Sequence, residues 1–262
     1  MITSRKNSHL KTIRQVRRCK DDRALLEGPH LIAEAVATGR ELQSLLATRP
    51  FLESGAGRQL RARLPYRPLE VEPRLLAEVT DSDSPRGIVA VARLPRMGAA
   101  DLLLAENGIF VYAEGLQDPG NLGALARATE ASSAVALCLN RGSVHPNHPR
   151  ALRASAGSLL RLPVATACSP AALDARLGPL VPRWVALSSH GGLDLFDVPL
   201  DGCVILALGA EGQGLSQEVR RRADVAVTIP LRPPVESLNV AVAAAVTLFE
   251  LSRRRRVINA EP

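Results

Sequence analysis

Residues 109–127 read IFVYAEGLQDPGNLGALAR. Ile109–Glu114 is a short apolar run bounded by turn residues, the pattern of a buried strand. Pro119 and Gly120 turn the chain, and Asn121 stands where a helix at 121–133 needs a cap. Strand, tight loop and helix make one unit of a parallel α/β sheet, and the chain downstream repeats that unit. Further strands are expected at 134–139, 162–165, 183–187, 204–208 and 225–229. Helices are expected at 150–160, 170–177, 216–222 and 238–252. Strands apolar at nearly every position belong to a sheet covered on both faces. Such sheets bind ligands at the carboxyl ends of their strands, so the loops after strands are where chemistry is expected.

Upstream, Pro95 and Gly98 begin a loose stretch, and residues 96–105 read as a linker. Residues 106–262 then form the larger domain, and residues 1–95 a smaller α/β unit. In that smaller unit, helices are expected at 8–26, 28–39, 55–64 and 75–79. Its strands are expected at 42–48, 69–71 and 87–94.

Composition excludes several classes. Of the 262 residues 46% are hydrophobic, enough for a packed core and against wholesale disorder. No apolar run nears the roughly 18–20 residues of a membrane span, and the basic, polar start lacks the apolar stretch of a secretory signal. The four cysteines (Cys19, Cys138, Cys168, Cys203) form no C-x-x-C pair. They read as reduced thiols of a cytoplasmic protein. His145 and His148 have no nearby Cys or carboxylate cluster, so no metal is expected.

The net charge is +7, and residues 1–23 carry eight Lys or Arg against two Asp. A concentrated basic segment is an electrostatic footprint for phosphates. Lys6, Lys11, Arg14, Arg17, Arg18 and Arg23 are the candidate RNA contacts, with a solvated helix face as the plain alternative. Arg253–Arg256 is a second basic cluster, suited either to RNA or to the dipole of a helix C-terminus. Aromatic residues are only 3%, so phosphate and shape contacts should dominate over base stacking.

Three loops stand out. In the first, Gly123 permits close approach. Arg127, on an otherwise apolar helix, is costly unless it meets an anion. In the second, Gly209, Gly212 and Gly214 follow an apolar strand. Their order, G-x-x-G-x-G, is not that of a dinucleotide loop, and Glu211 would repel a pyrophosphate. A cationic or sugar-bearing ligand fits better, and a tight glycine turn is the alternative. In the third, a Pro-rich segment leaves a strand at Ile229 and runs through Leu231 to Glu236-Ser237-Leu238-Asn239. Ser237 and Asn239 are good helix-start residues.

Taken together, N-x-G-x-x-x-R at 121–127, L-G-x-E-G-x-G at 208–214 and I-P-x-x-x-x-V-E-S-L-N at 229–239 resemble the SpoU (TrmH-like) branch of the SPOUT methyltransferases. The likeness covers about 105–255. Residues 1–95 are more loosely similar to that family's ribosomal-protein-like substrate-binding domain, through 27–35 and 83–90. Leu231 and Pro233–Pro234 depart from the family pattern.

The resemblance implies a C-terminal α/β domain with a parallel sheet and a deep trefoil knot, a rare exception to unknotted topology. It implies an S-adenosylmethionine pocket at Leu208, Gly209, Gly214, Ile229, Leu231 and Leu238. It implies a homodimer through the knotted domain, in which Arg127 faces the partner's methyl donor. The reaction would be 2′-O-methylation of an RNA ribose, with 23S-type rRNA preferred over tRNA as substrate. Asn121, Arg127, Glu211, Ser237 and Asn239 would form the catalytic set. A guanidinium is effectively always protonated, so Arg127 suits a phosphate clamp and alkoxide stabiliser better than a base. A non-catalytic RNA-binding protein with this fold is the alternative from another class.

Overall fold

The computed structural model describes residues 1–18, 21–80, 86–94, 97–210 and 212–258. Cys19 and Glu211 lie outside the described residues, as do the side chains of Arg18 and Arg256.

The first half of the chain runs α1 (Ser8–Arg18), β1 (Arg23–Glu27), α2 (Pro29–Ala37), β2 (Leu42–Ala47), α3 (Arg49–Glu53), α4 (Gly55–Arg61), β3 (Leu69–Glu70), α5 (Pro73–Ala77), β4 (Ile88–Arg93), β5 (Ile109–Glu114) and α6 (Pro119–Ala131). It continues through β6 (Ala136–Leu139), α7 (Pro149–Ala154), α8 (Ser158–Arg161), β7 (Val164–Ala165), α9 (Pro170–Leu177), β8 (Arg183–Leu187), β9 (Leu193–Asp194), β10 (Val204–Gly209), α10 (Gln217–Arg222), β11 (Val225–Thr228) and α11 (Val240–Ile258). Two compact units divide it: Met1–Pro95 with His145–Arg161, and Arg96–Val144 with Leu162–Pro262.

The first unit holds a four-stranded sheet in the order β1-β4-β2-β3. β4 runs antiparallel to β1 and β2, and β3 parallel to β2. Leu10, Ile13 and Val16 of α1 share a buried cluster with Leu75, Leu76, Leu25, Val89 and Val91. Three apolar side chains at helical spacing thus seat α1, leaving Lys11 and Arg17 exposed.

The expected helix 8–26 is corrected: α1 ends at Arg18 and residues 23–27 are a strand. The Asp21 carboxylate accepts from the Arg23 backbone N–H at 2.9 Å, a local bond that competes with helix. Leu25 and Leu26 then pair with Val91 and Ala90 of β4. The expected helix 55–64 is α4, which ends at Arg61 and is capped by the Ser54 hydroxyl accepting from Gly57 N–H, while α3 before it had no counterpart in the sequence reading.

Residues 145–161, read from sequence as part of the larger domain, cluster with this first unit. Arg153 pairs with the buried Glu27 at 2.8 Å, and Arg40 donates to the Leu160 carbonyl at 2.6 Å. The expected helix 150–160 breaks into α7 and α8 at Ala156 and Gly157, whose φ angles are 48° and 97°.

The second unit is a seven-stranded sheet in the order β7-β6-β5-β10-β8-β11-β9, parallel throughout. Alternate residues Phe110, Tyr112, Trp184, Ala186, Ile205 and Ala207 fill one buried face. Val111, Val185 and Leu206, on the opposite pleat, are equally buried. Burial of both faces accounts for the continuous apolar runs. Strand β9 had no counterpart in the sequence reading.

Candidate functional site

Strand β10 lies beside β5 and β8 in the middle of the parallel sheet and leaves it at Gly209. A Cβ on Gly209 would stand 2.1 Å from the Gly214 carbonyl carbon, so only glycine fits there. The loop folds back on itself: Gly214 N–H donates to the Ala210 carbonyl at 2.9 Å. Gly212 and Gly214 have φ of 82° and 66°, a region that glycine enters without strain. The glycines therefore make the turn, and the turn walls a cleft.

That cleft has a volume of about 400 Å³, in the range of small-molecule sites. Leu208, Gly209, Gly214, Ile229, Leu231 and Leu238 all line it, with Glu236 and Ser237. Residues 229–239 carry no regular secondary structure, so their backbone groups stand outside any ladder. Apolar side chains beside unladdered N–H and C=O groups can sandwich a heteroaromatic base and hydrogen-bond its edge. The donor set thus fits S-adenosylmethionine. Among the described residues no cluster of His, Cys, Asp or Glu could hold a metal.

Sequence reasoning missed part of this wall. Leu187–His190, at the carboxyl end of β8, and Arg220, from α10, line the same cleft. Glu114 was also missed: its carboxylate accepts from the Ser216 N–H at 2.7 Å, tying the end of β5 to the start of α10.

Asn121 is not the cap of α6. Asp118 caps it, accepting from the Asn121 N–H at 2.8 Å. Asn121 sits inside the first turn, and its side-chain oxygen accepts from Asn239 Nδ2 at 2.9 Å. Asn239 in turn caps α11, its oxygen accepting from the Ala241 and Val242 N–H groups at 3.0 and 3.3 Å. Two of the three motifs meet at this amide pair. Ser237 is exposed on the cleft wall.

Arg127 is exposed, not buried in an apolar setting as its neighbours suggested. Among the described residues its guanidinium makes no hydrogen bond or ion pair. Its charge stays solvated at little cost and available to an anion.

The basic residues of 1–23 divide. Lys6, Lys11 and Arg17 are exposed. Arg14 donates to the Arg5 carbonyl at 2.9 Å and approaches Glu78, and Arg23 pairs with Asp21 at 2.6 Å.

At the other end of the chain, Arg254 donates to the carbonyls of Leu195 and Val198, and Arg255 to those of Asn107 and Gly202. Arg253 and Arg254 both bond Glu250, whose carboxyl is held down at about 2, chiefly by the Arg253 hydrogen bond. Arg254 and Arg255 therefore pin α11 within its own unit, and Arg253 pairs along the helix with Glu250.

A model described as the SpoU rRNA Methylase family matches residues 108–249, and one described as the MRM3-like substrate binding domain matches 7–90. The chain is 30% identical to a 23S rRNA (uridine(2479)-2'-O)-methyltransferase of Streptomyces viridochromogenes, over 88% of this chain and 83% of that one. It is 28% identical to a 23S rRNA (guanosine(2553)-2'-O)-methyltransferase of Bacillus subtilis, over 95% and 98%. Among solved structures it is similar to the SpoU methyltransferase AviRb from Streptomyces viridochromogenes in complex with AdoMet. There the TM-score is 0.87 and the identity 26%, covering 96% of this chain and 99% of that one.

Proposed function

The chain belongs to the SpoU rRNA methylase family, and from that premise we propose that it methylates a ribose 2′-hydroxyl of 23S-type ribosomal RNA. It is an S-adenosylmethionine-dependent RNA methyltransferase. The observation that carries the reading is the cleft: six residues from two loops separated in sequence, each expected at the donor pocket, line one cavity.

When bound there, S-adenosylmethionine supplies an electrophilic methyl group on a sulfonium. The chain's own residues supply alignment and electrostatics. Leu208, Ile229, Leu231 and Leu238 hold the adenosine part and exclude water, and the Gly209–Gly214 turn lets the backbone approach closely. The Asn121–Asn239 pair and Ser237 position the ribose. Arg127 clamps the phosphate beside the target ribose and stabilises negative charge developing on the 2′-oxygen.

The enzyme acts as a homodimer through the second unit, whose C-terminal segment forms the family's trefoil knot. Two features support the dimer. Arg127 faces solvent with no partner among the described residues. On α11, Val242 and Phe249 lie seven residues apart and are each 50% exposed, an apolar stripe for a second copy to cover. Lys6, Lys11, Arg14, Arg17, Arg18 and Arg23 contribute to RNA attraction, and the protein works in the cytoplasm, where its substrate is.

The similar proteins named for 23S rRNA support rRNA over tRNA as substrate. The test is transfer of label from S-adenosylmethionine to unmodified rRNA and to unmodified tRNA, offered separately. Label in the large-subunit rRNA alone is expected. Label in tRNA alone would overturn the substrate assignment.

A further inference from the structure

The first unit carries a basic surface that the α1 reading does not include. The connection from α4 to β3 reads Arg61-Ala-Arg63-Leu-Pro-Tyr66-Arg67. Arg61, Arg63 and Arg67 are exposed, and among the described residues their guanidinium groups make no hydrogen bond or ion pair. In that they differ from Arg14 and Arg23, whose charges are met from within the chain. They differ also from the neighbouring Arg58, which donates to the Glu53 carbonyl at 2.5 Å.

Tyr66 stands in the middle of this segment. The chain has only two tyrosines. Tyr112 is 1% exposed, whereas Tyr66 is 43% exposed. Its hydroxyl donates to the Leu42 carbonyl at 2.7 Å, which fixes the end of the ring to β2. An exposed aromatic side chain has little reason to be pinned by its far end unless a face is being held in place. Burial, with the nearby Glu41 carboxylate adding to it, pushes the Tyr66 hydroxyl up from its ordinary value, so it remains a donor.

We infer that Tyr66 with Arg61, Arg63 and Arg67 forms a docking surface for single-stranded RNA, one base stacking on the ring and the flanking phosphates meeting the arginines. Fixed rings stack on any base, and arginines beside them neutralise the backbone; this is the pairing found where unpaired nucleic acid is gripped. Strand β3 follows at once, so the surface lies at the β3 side of the four-stranded sheet, where Ile2 bridges to Val71. A paired duplex presents no base face to a ring, so unpaired RNA is the form this surface selects. The inference rests on the RNA-directed function above and locates part of its substrate contact.

The experiment measures binding of a fluorescein-labelled oligouridine by anisotropy across a salt series, using the full chain. The triple variant Arg61→Ala, Arg63→Ala, Arg67→Ala should lower the salt slope by about 2, given about 0.7 per phosphate contact for single strands. Tyr66→Ala should weaken binding about tenfold, inside the range of ~1–3 kcal/mol for one stacked base. Tyr66→Phe should keep most of the affinity. An unchanged slope in the triple variant overturns the docking surface. A lowered slope with Tyr66→Ala binding like wild type overturns the stacked base. Calorimetric binding of S-adenosylmethionine on the same samples separates the two readings. Wild type that grips the oligouridine but not the donor contradicts the methyltransferase assignment and leaves this surface standing.

Discussion

Asn239 Nδ2 donates to Asn121 Oδ1 at 2.9 Å, joining residues 118 positions apart. The same Asn239 amide caps α11 through its oxygen. Because the oxygen is committed to two backbone N–H groups, the nitrogen has to face Asn121. One side chain thus fixes the start of α11 and orients an amide of α6. Asn239→Asp separates these roles, since aspartate caps as well as asparagine but cannot donate. The melting temperature should stay near wild type while kcat falls about tenfold or more, ~1.4 kcal/mol of barrier. Equal losses in stability and activity would mean that the residue only caps.

Gly209 and Gly212 make a paired test of the loop. A Cβ at 209 collides with the backbone of Gly214, whereas one at 212 meets nothing within 4 Å. Gly209→Ala should raise the S-adenosylmethionine Kd more than tenfold in calorimetry. Gly212→Ala should cost only the strain of its positive φ, about 1 kcal/mol, read as a modest drop in melting temperature.

Glu250 gives a pH dependence of known sign. Its carboxyl sits at about 2 because Arg253 and Arg254 bond its charged form. Stability from this group is present above the ordinary carboxylate pKa of about 4.3 and is lost as pH falls toward 2. Glu250→Gln should therefore melt below wild type at pH 6, and the gap should close between pH 4 and 2. A gap that persists unchanged at pH 2 would contradict the ion-pair account.

Arg255 is a structural cation. Its guanidinium bonds the carbonyls of Asn107 and Gly202, and burial draws its pKa down. Arg255→Ala should lower the melting temperature, by about 2–4 °C for each kcal/mol lost in a chain of this size. RNA affinity should not change, and a flattened salt slope in this variant would place the residue on the RNA instead.

What could be read from sequence follows from how local each feature is. Strands β5 and β10 were legible because burial on both faces leaves an unbroken apolar run. The Leu208–Gly214 and Ile229–Asn239 segments were legible because the close approach at Gly209 and the cap at Asn239 each demand one residue type. The α1–β1 boundary was not, since Leu10, Ile13, Val16 and Leu25 keep a partly helical spacing and only pairing with β4 decides the last. Sequence spacing gave no sign that residues 145–161 pack with the first unit, because distant partners hold them there, Glu27 for Arg153 and Arg40 for the Leu160 carbonyl. Arg220 and Leu187–His190 became visible as cleft walls only once β8 was placed beside β10.

The most direct measurement is the chemical position of the transferred methyl. Large-subunit rRNA labelled by the enzyme from S-adenosylmethionine would be hydrolysed in alkali. The account predicts label in an alkali-resistant dinucleotide, since a methylated 2′-oxygen cannot attack the adjoining phosphate. It also predicts no label with Arg127→Ala, although that variant binds the donor as wild type does. Label recovered in a mononucleotide would place the methyl on a base and contradict ribose methylation.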